Sequence, residues 1–139
     1  MTAGYSKRSL VEKIGIKPGT RFALLNAPRN YLDSLGELPS KTVVVIKLKT
    51  QLDLIQFFTK RRIELEMAFP SLKASLSFDG MLWISWPKGS SKVETDLNEN
   101  IVREIGLSNN LVDIKVCAVD EIWSGLKFVY RVKDRNRKR

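Results

Sequence analysis

Short apolar runs alternate with stretches of helical periodicity along most of this chain, and Gly or Pro stands at nearly every junction. Residues 21–25 read as a buried strand. Residues 43–48, β-branched and apolar on both faces, read as another, as do residues 52–58 and 81–86. Between them the spacing predicts helices. One covers residues 6–14, with Leu10, Val11 and Ile14 on one face and Gly15 just past its end. A second has Asn26 as its cap and Pro28 in its first turn, and presents Tyr31, Leu32 and Leu35 before Gly36. A third begins near Thr59 and carries Leu65, Phe69, Leu72 and Leu76, with Pro70 placed to kink or restart it. A fourth is capped by Asp96 or Thr95, shows Leu97, Ile101, Val102 and Ile105, and ends at Gly106. Strands that alternate with helices bury both best as a mostly parallel sheet covered on both faces.

Two segments need separate treatment. Thr50 and Asp53 have capping-box spacing, which would start a long helix there. A strand over residues 52–58 is the better reading, because Leu52, Leu54, Ile55, Phe57 and Phe58 are apolar on both strand faces. Near the C-terminus, residues 112–122 and 126–133 read as strands joined by a turn at Ser124-Gly125, too short a link for anything but an antiparallel hairpin. Leu126, Phe128, Tyr130 and Val132 point one way, and Lys127, Val129, Arg131 and Lys133 the other. If residues 122 and 126 pair, Lys115 lies opposite Lys133 and Glu121 opposite Lys127.

The chain has 139 residues, 43% of them hydrophobic, enough for one ordinary core. The expected organisation is one α/β domain over residues 1–132 and a disordered basic tail over residues 133–139. Lys and Arg number 24 against 15 Asp and Glu, a net +9. The tail alone contributes +4, so the rest is only mildly basic. There is no histidine, and Cys117 is the single cysteine. Ser-His-Asp and Cys-His nucleophile systems, HExxH sites and Cys/His zinc sites are thereby excluded. No stretch approaches the ~20 apolar residues of a membrane span, and the first residues have no apolar run of the signal-peptide kind. One unpaired thiol suits a reducing compartment. The expectation is a cytoplasmic protein.

Two resemblances follow from longer stretches. Leu24-Leu25-Asn26-Ala27-Pro28, Gly80-Met81-Leu82-Trp83-Ile84-Ser85-Trp86-Pro87-Lys88, Val102-Arg103-Glu104-Ile105-Gly106-Leu107 and Leu111 through Asp120, continued by Trp123 through Tyr130, are similar to a family of short bacterial proteins catalogued as domain of unknown function 3052. That resemblance implies a fold and no activity. More distantly, Asp53-Leu54-Ile55, a helix, Leu76 through Ile84, a helix and a hairpin resemble the second half of a Rossmann-like S-adenosylmethionine methyltransferase. The second resemblance implies a three-layer, mostly parallel Rossmann-like sheet with an antiparallel C-terminal hairpin. It also calls for a glycine-rich turn after the first strand and an acid near the end of the second. Here the turn is Asn26-Ala27-Pro28-Arg29-Asn30, without glycine, and Lys47-Leu48-Lys49 stands where the acid belongs.

The candidate ligand site follows from the sheet. Open α/β sheets bind ligands outside the carboxyl ends of their strands. Asn26, Thr59, Lys60, Trp86 and Lys88 fall at such ends and form the expected crevice. Lys88-Gly89-Ser90-Ser91-Lys92 suits an anion in composition, against the alternative of an ordinary surface loop. Lys60-Arg61-Arg62 in a first helical turn would oppose the helix dipole, unless the helix starts earlier. Ser85-Trp86-Pro87-Lys88 and Ser124-Gly125-Leu126-Lys127 match S-x-x-K, but on a strand the two residues point to opposite faces. Lys115, Arg131, Lys133, Arg135, Arg137, Lys138 and Arg139 are the candidate nucleic-acid-binding residues. No catalytic set, metal site or cofactor is expected. The expected function is a non-catalytic binding or regulatory module on a degenerate methyltransferase-like scaffold, with a small anionic ligand as partner. The alternatives are a nucleic-acid or ribosome-associated basic protein and a divergent small-molecule transferase.

Overall fold

The computed structural model describes residues 9–135. Six strands form one sheet: β1 (Arg21–Leu25), β2 (Val43–Val45), β3 (Leu52–Phe58), β4 (Leu76–Pro87), β5 (Leu111–Ala118) and β6 (Trp123–Tyr130), in spatial order β2-β1-β3-β4-β6-β5. β1 pairs in parallel with both β2 and β3, and β3 with β4. β6 is inserted antiparallel between β4 and β5, so it alone runs against the rest. The mostly parallel sheet and its closing antiparallel hairpin are those expected. The insertion of the last strand inside the sheet is new.

Strand alternation sorts the core into two layers. Phe22, Leu24, Leu54, Phe58 and Trp83 face α1 (Leu10–Ile14) and α2 (Tyr31–Leu35). Ala23, Ile55, Phe57, Leu82, Ile84, Leu126 and Phe128 face α3 (Arg62–Ser75) and α4 (Glu99–Ser108). α1 is fixed by a full capping box between Ser9 and Glu12 and by Gly15 in the left-handed region. The indole Nε1 of Trp83 donates to the carbonyl of Ile14 over 2.8 Å, which satisfies a buried donor and ties α1 to β4. No helix among the described residues is long and apolar enough to cross a membrane.

Several expectations change. Asn26 does not cap α2: it takes φ 58°, and α2 begins only after Asn30, also left-handed at φ 67°. β2 stops at Val45 because it is an edge strand, and Ile46 is 75% exposed. Thr50 caps nothing: its carbonyl and that of Gln51 accept from the Arg21 guanidinium, while Asp53 accepts from the Arg21 backbone N–H. The strand reading of residues 52–58 holds. α3 runs through Pro70 without restarting. Asp79-Gly80 is no turn: β4 continues across it, and pairing with β3 jumps from Leu52–Leu76 to Leu54–Met81.

Two glycines read as punctuation are packing positions. Gly106 lies inside α4, where a Cβ would fall 2.0 Å from Cε1 of Phe128. Gly125 lies inside β6, where a Cβ would meet the Trp83 ring at 3.1 Å. The hairpin turn sits earlier, where Asp120 Oδ1 accepts from the backbone N–H groups of Ile122 and Trp123, each at 2.8 Å. The register therefore moves: Lys115 faces Lys127, not Lys133.

Candidate functional site

At the carboxyl ends of β1 and β3 the chain forms a cleft of about 420 Å³. It begins with Asn26, whose left-handed backbone turns the chain away from β1. Its apolar wall is Phe58 and Trp123, packed edge to face with centroids 5.0 Å apart, and Tyr31 continues the aromatic row at 4.9 Å from Phe58. The other wall is the β3–α3 junction: Thr59, Lys60, Arg61 and Glu64.

That junction is held rigidly from both sides. Thr59 is buried; its N–H donates to the Ser85 carbonyl, and its hydroxyl donates to the Glu64 carboxylate and accepts from the Arg61 N–H. From the other side, Thr95 Oγ1 donates to the Lys60 carbonyl over 2.6 Å and Asp96 Oδ1 accepts from the Arg62 N–H at 2.7 Å. Asp96 thus caps α3 from a distant loop, while Asn98 caps its own helix α4. The helix does not start earlier, so Lys60 and Arg61 precede it. Arg62 is taken by Glu66 at 3.1 Å. The Lys60 and Arg61 side chains stay exposed at the mouth of the cleft.

Asn26, Thr59 and Lys60 are therefore brought together. Trp86 and Lys88, although also at a strand end, line a different cleft of about 540 Å³ between β4 and the start of α4. Trp86 is buried in the α3–α4 core layer. In the adjoining loop Ser91 Oγ donates to the Lys88 carbonyl and accepts from the Val93 N–H, which uses the hydroxyl locally. Arg61, Glu64 and Trp123 complete the lining, and of the three only Glu64 carries no signal in the sequence. Arg61 was visible as a cation beside Lys60, but Trp123 reaches the site only through the insertion of β6 beside β4.

A second cleft of about 570 Å³ shares Asn26 and Pro28 with the first and extends past Ala27, Tyr31 and Asp33 to Ile46. Beneath these clefts lies a buried polar patch. Gln56 Nε2 donates to Ser85 Oγ over 3.4 Å. The Tyr31 hydroxyl and Gln56 Oε1 are buried without a hydrogen-bond partner among the described residues. Burial drives the Tyr31 phenol pKa well above its usual value.

The candidate nucleic-acid residues do not form one face. Lys115 sits mid-strand on β5, about 13 Å along the strand from the Leu111–Tyr130 pair. Arg131 and Lys133 lie at the opposite end of the sheet from the crevice, Lys133 in a 3₁₀ turn over Val132–Asp134. Arg135 donates to the Tyr130 carbonyl at 2.9 Å. Arg137, Lys138 and Arg139 lie outside the described residues. Among the described residues no cluster of Cys, Asp and Glu could hold a metal ion.

No family model and no curated protein matches the chain. Solved structures do. A SAM-dependent methyltransferase (SAM, S-adenosylmethionine) from Aquifex aeolicus is 16% identical with a TM-score of 0.62, and 86% of each chain is covered. A TehB-like SAM-dependent methyltransferase from Corynebacterium glutamicum is 14% identical with a TM-score of 0.57, covering 92% of this chain and 90% of the other. A ribosomal protein L11 methylase from Lactobacillus delbrueckii subsp. bulgaricus is 14% identical with a TM-score of 0.62, covering 88% and 75%. At such identities the likeness shows the fold: a Rossmann-like, mostly parallel sheet of the kind found in SAM-dependent methyltransferases.

Proposed function

We propose that this protein is a binding module on a methyltransferase-like scaffold, and that it holds a small anion with a planar body, such as a nucleotide, in the cleft between β1 and β3. The observation that carries the reading is the pairing of two exposed cations, Lys60 and Arg61, with an aromatic wall of Phe58 and Trp123 in one cleft. The Thr59–Glu64 bond and the Asp96 cap fix the backbone beneath both cations, so little ordering is needed on binding. SAM itself fits the loop poorly. Pro28 offers no N–H there, and the chain leaves β2 through Lys47 and Lys49 with no acid at that end. No reaction step is therefore assigned to it. Membership of the family catalogued as domain of unknown function 3052 is part of the same proposal; the stretches that carry the resemblance form the end of β1 with the loop after it, β4, α4, β5 and β6.

Two features of the neighbouring cleft favour a second reading, a divergent transferase. Asn26 supplies the left-handed turn that a glycine would otherwise make, and Asp33 offers a carboxylate in that cleft. Calorimetric titration of the full chain with adenosine monophosphate and, separately, with SAM tests both readings. Binding of the monophosphate that weakens about tenfold or more in a Lys60→Ala/Arg61→Ala variant, and is unchanged in Lys88→Ala, supports the binding module. Undetectable monophosphate binding, or equal binding by the variant, refutes it. Tight binding of SAM alone would establish the second reading instead.

A further inference from the structure

Helix α3 is apolar on two opposite sides. Leu65, Phe69 and Leu72 form one side and are buried in the core. Ile63, Met67, Pro70 and Ala74 recur at i, i+4, i+7 and i+11, and at 3.6 residues per turn they fall in a stripe about 60° wide on the opposite side. All four are exposed, Ile63 at 61% and Met67 at 76%. Single apolar side chains on a surface need no explanation, but a continuous row along one helix marks a contact surface. Charges of both signs border the row. Arg62, Glu66 and Lys73 lie along one flank, and Glu64 and Ser71 along the other.

We propose that this row packs against its own counterpart on a second copy of the chain, with the two α3 helices antiparallel about a two-fold axis. The spacing of four, three and four residues is that of a two-helix seam. Antiparallel pairing sets Met67 against the partner's Pro70 and Ile63 against the partner's Ala74, so each larger side chain meets a smaller one. A parallel pair would stack Met67 on Met67 and leave Ala74 facing Ala74. The flanks give the same answer. Antiparallel pairing brings Glu66 beside the partner's Lys73, and by symmetry this contact forms twice. Glu66 already accepts from Arg62 Nε at 3.1 Å, yet its side chain stays 41% exposed and can accept again. Lys73 Nζ stands 5.7 Å from the Tyr130 ring centroid, which holds the cation on the flank that the contact needs. On the other flank Glu64 accepts from the Thr59 hydroxyl and would meet the neutral Ser71 of the partner subunit, so no like charges face each other. A partner of one charge sign would clash with half of this border, whereas a second copy matches it. The two helix dipoles also run head to tail. One helix of about four turns buries less than the roughly 1,600 Å² of a standard interface, so the dimer is weak and concentration-dependent.

The test is sedimentation equilibrium of the full chain from about 1 μM to about 1 mM. The average mass is expected to rise from one chain towards two. Met67→Asp places a carboxylate at the centre of the row and should leave a single chain at every concentration, while thermal melting shows the fold intact, because Met67 touches little of its own molecule. Glu66→Lys alone and Lys73→Glu alone each turn both attractive contacts repulsive and should weaken dimerisation about tenfold. An equal mixture of these two variants restores both attractions in a mixed pair and should recover the dimer. A one-chain mass throughout for the unaltered protein overturns the proposal. A dimer that survives Met67→Asp uses another face and overturns it as well, as does a mixture of the two charge variants that dimerises no better than either alone.

Discussion

Replacing Gly106 with Ala reverses a rule. In a helix interior Ala is better than Gly by about 1 kcal/mol, so Gly106→Ala in α4 would ordinarily stabilise. Here the new Cβ would lie 2.0 Å from Cε1, 2.4 Å from Cζ and 2.6 Å from Cδ1 of Phe128. Relief to ordinary contact at 3.4 Å requires a relative movement of about 1.4 Å. Phe128 has little freedom to give it, being fully buried and edge-on to Phe69 at 5.7 Å between centroids. Overpacking of this kind costs about 1–3 kcal/mol. With the severity of this contact the upper end applies, and after the helix-propensity gain the net loss is about 2 kcal/mol. Urea denaturation followed by circular dichroism reads it directly: the midpoint should fall by about 1 M for an m-value near 2 kcal/mol/M. Adding Phe128→Leu supplies room, so the double variant should lose less than the sum of its parts. A raised or unchanged midpoint in Gly106→Ala would refute the packing role of Gly106 and return it to an ordinary helical glycine.

Further outcomes follow from other close contacts. Gly80→Ala places a Cβ 2.7 Å from Leu76 Cδ1 and 3.0 Å from the Leu52 carbonyl oxygen, with backbone on one side, and should lower stability by about 1–3 kcal/mol in the same denaturation assay. Tyr31→Phe removes a buried hydroxyl with no partner among the described residues, so at neutral pH it should change stability by less than about 1 kcal/mol. Because burial raises the Tyr31 pKa above its unfolded value near 10, the unfolded chain loses that proton first. Stability due to Tyr31 is therefore complete below pH 10 and falls above it by about 1.4 kcal/mol per pH unit; Tyr31→Phe should flatten that fall in denaturation midpoints taken between about pH 9 and 11.

The central sheet was legible because its strands carry their own signal. Leu54 through Phe58 and Leu82 through Trp86 are buried on both faces, the pattern of short strands covered by helices on either side. The glycines were misread for a common reason. Gly106 and Gly125 look like helix and turn ends in sequence, but the residues that require them, Phe128 and Trp83, are distant in the chain. Edge effects were equally invisible: nothing local says that residues 43–45 lie at the rim of the sheet, where the strand ends early and Ile46 meets solvent. The site shows the same division. Asn26, Thr59 and Lys60 lie at neighbouring strand ends and line one cleft. Whether Trp86 and Lys88 joined them depended on the loop through Thr95 and Asp96, which bonds to Lys60 and Arg62 and separates the two clefts. A shift of the hairpin register by a few residues then moved Lys115 opposite Lys127 and away from Lys133.

Native mass spectrometry of the protein, purified gently from its own cells, tests the central claim most directly, since the Lys60–Arg61 cleft with its Phe58–Trp123 wall is proposed to hold a small anion. The account predicts extra mass in the range of a nucleotide on the folded chain, lost in the Lys60→Ala/Arg61→Ala variant. Bare chain mass in the unaltered protein, or extra mass that persists in the variant, would contradict it.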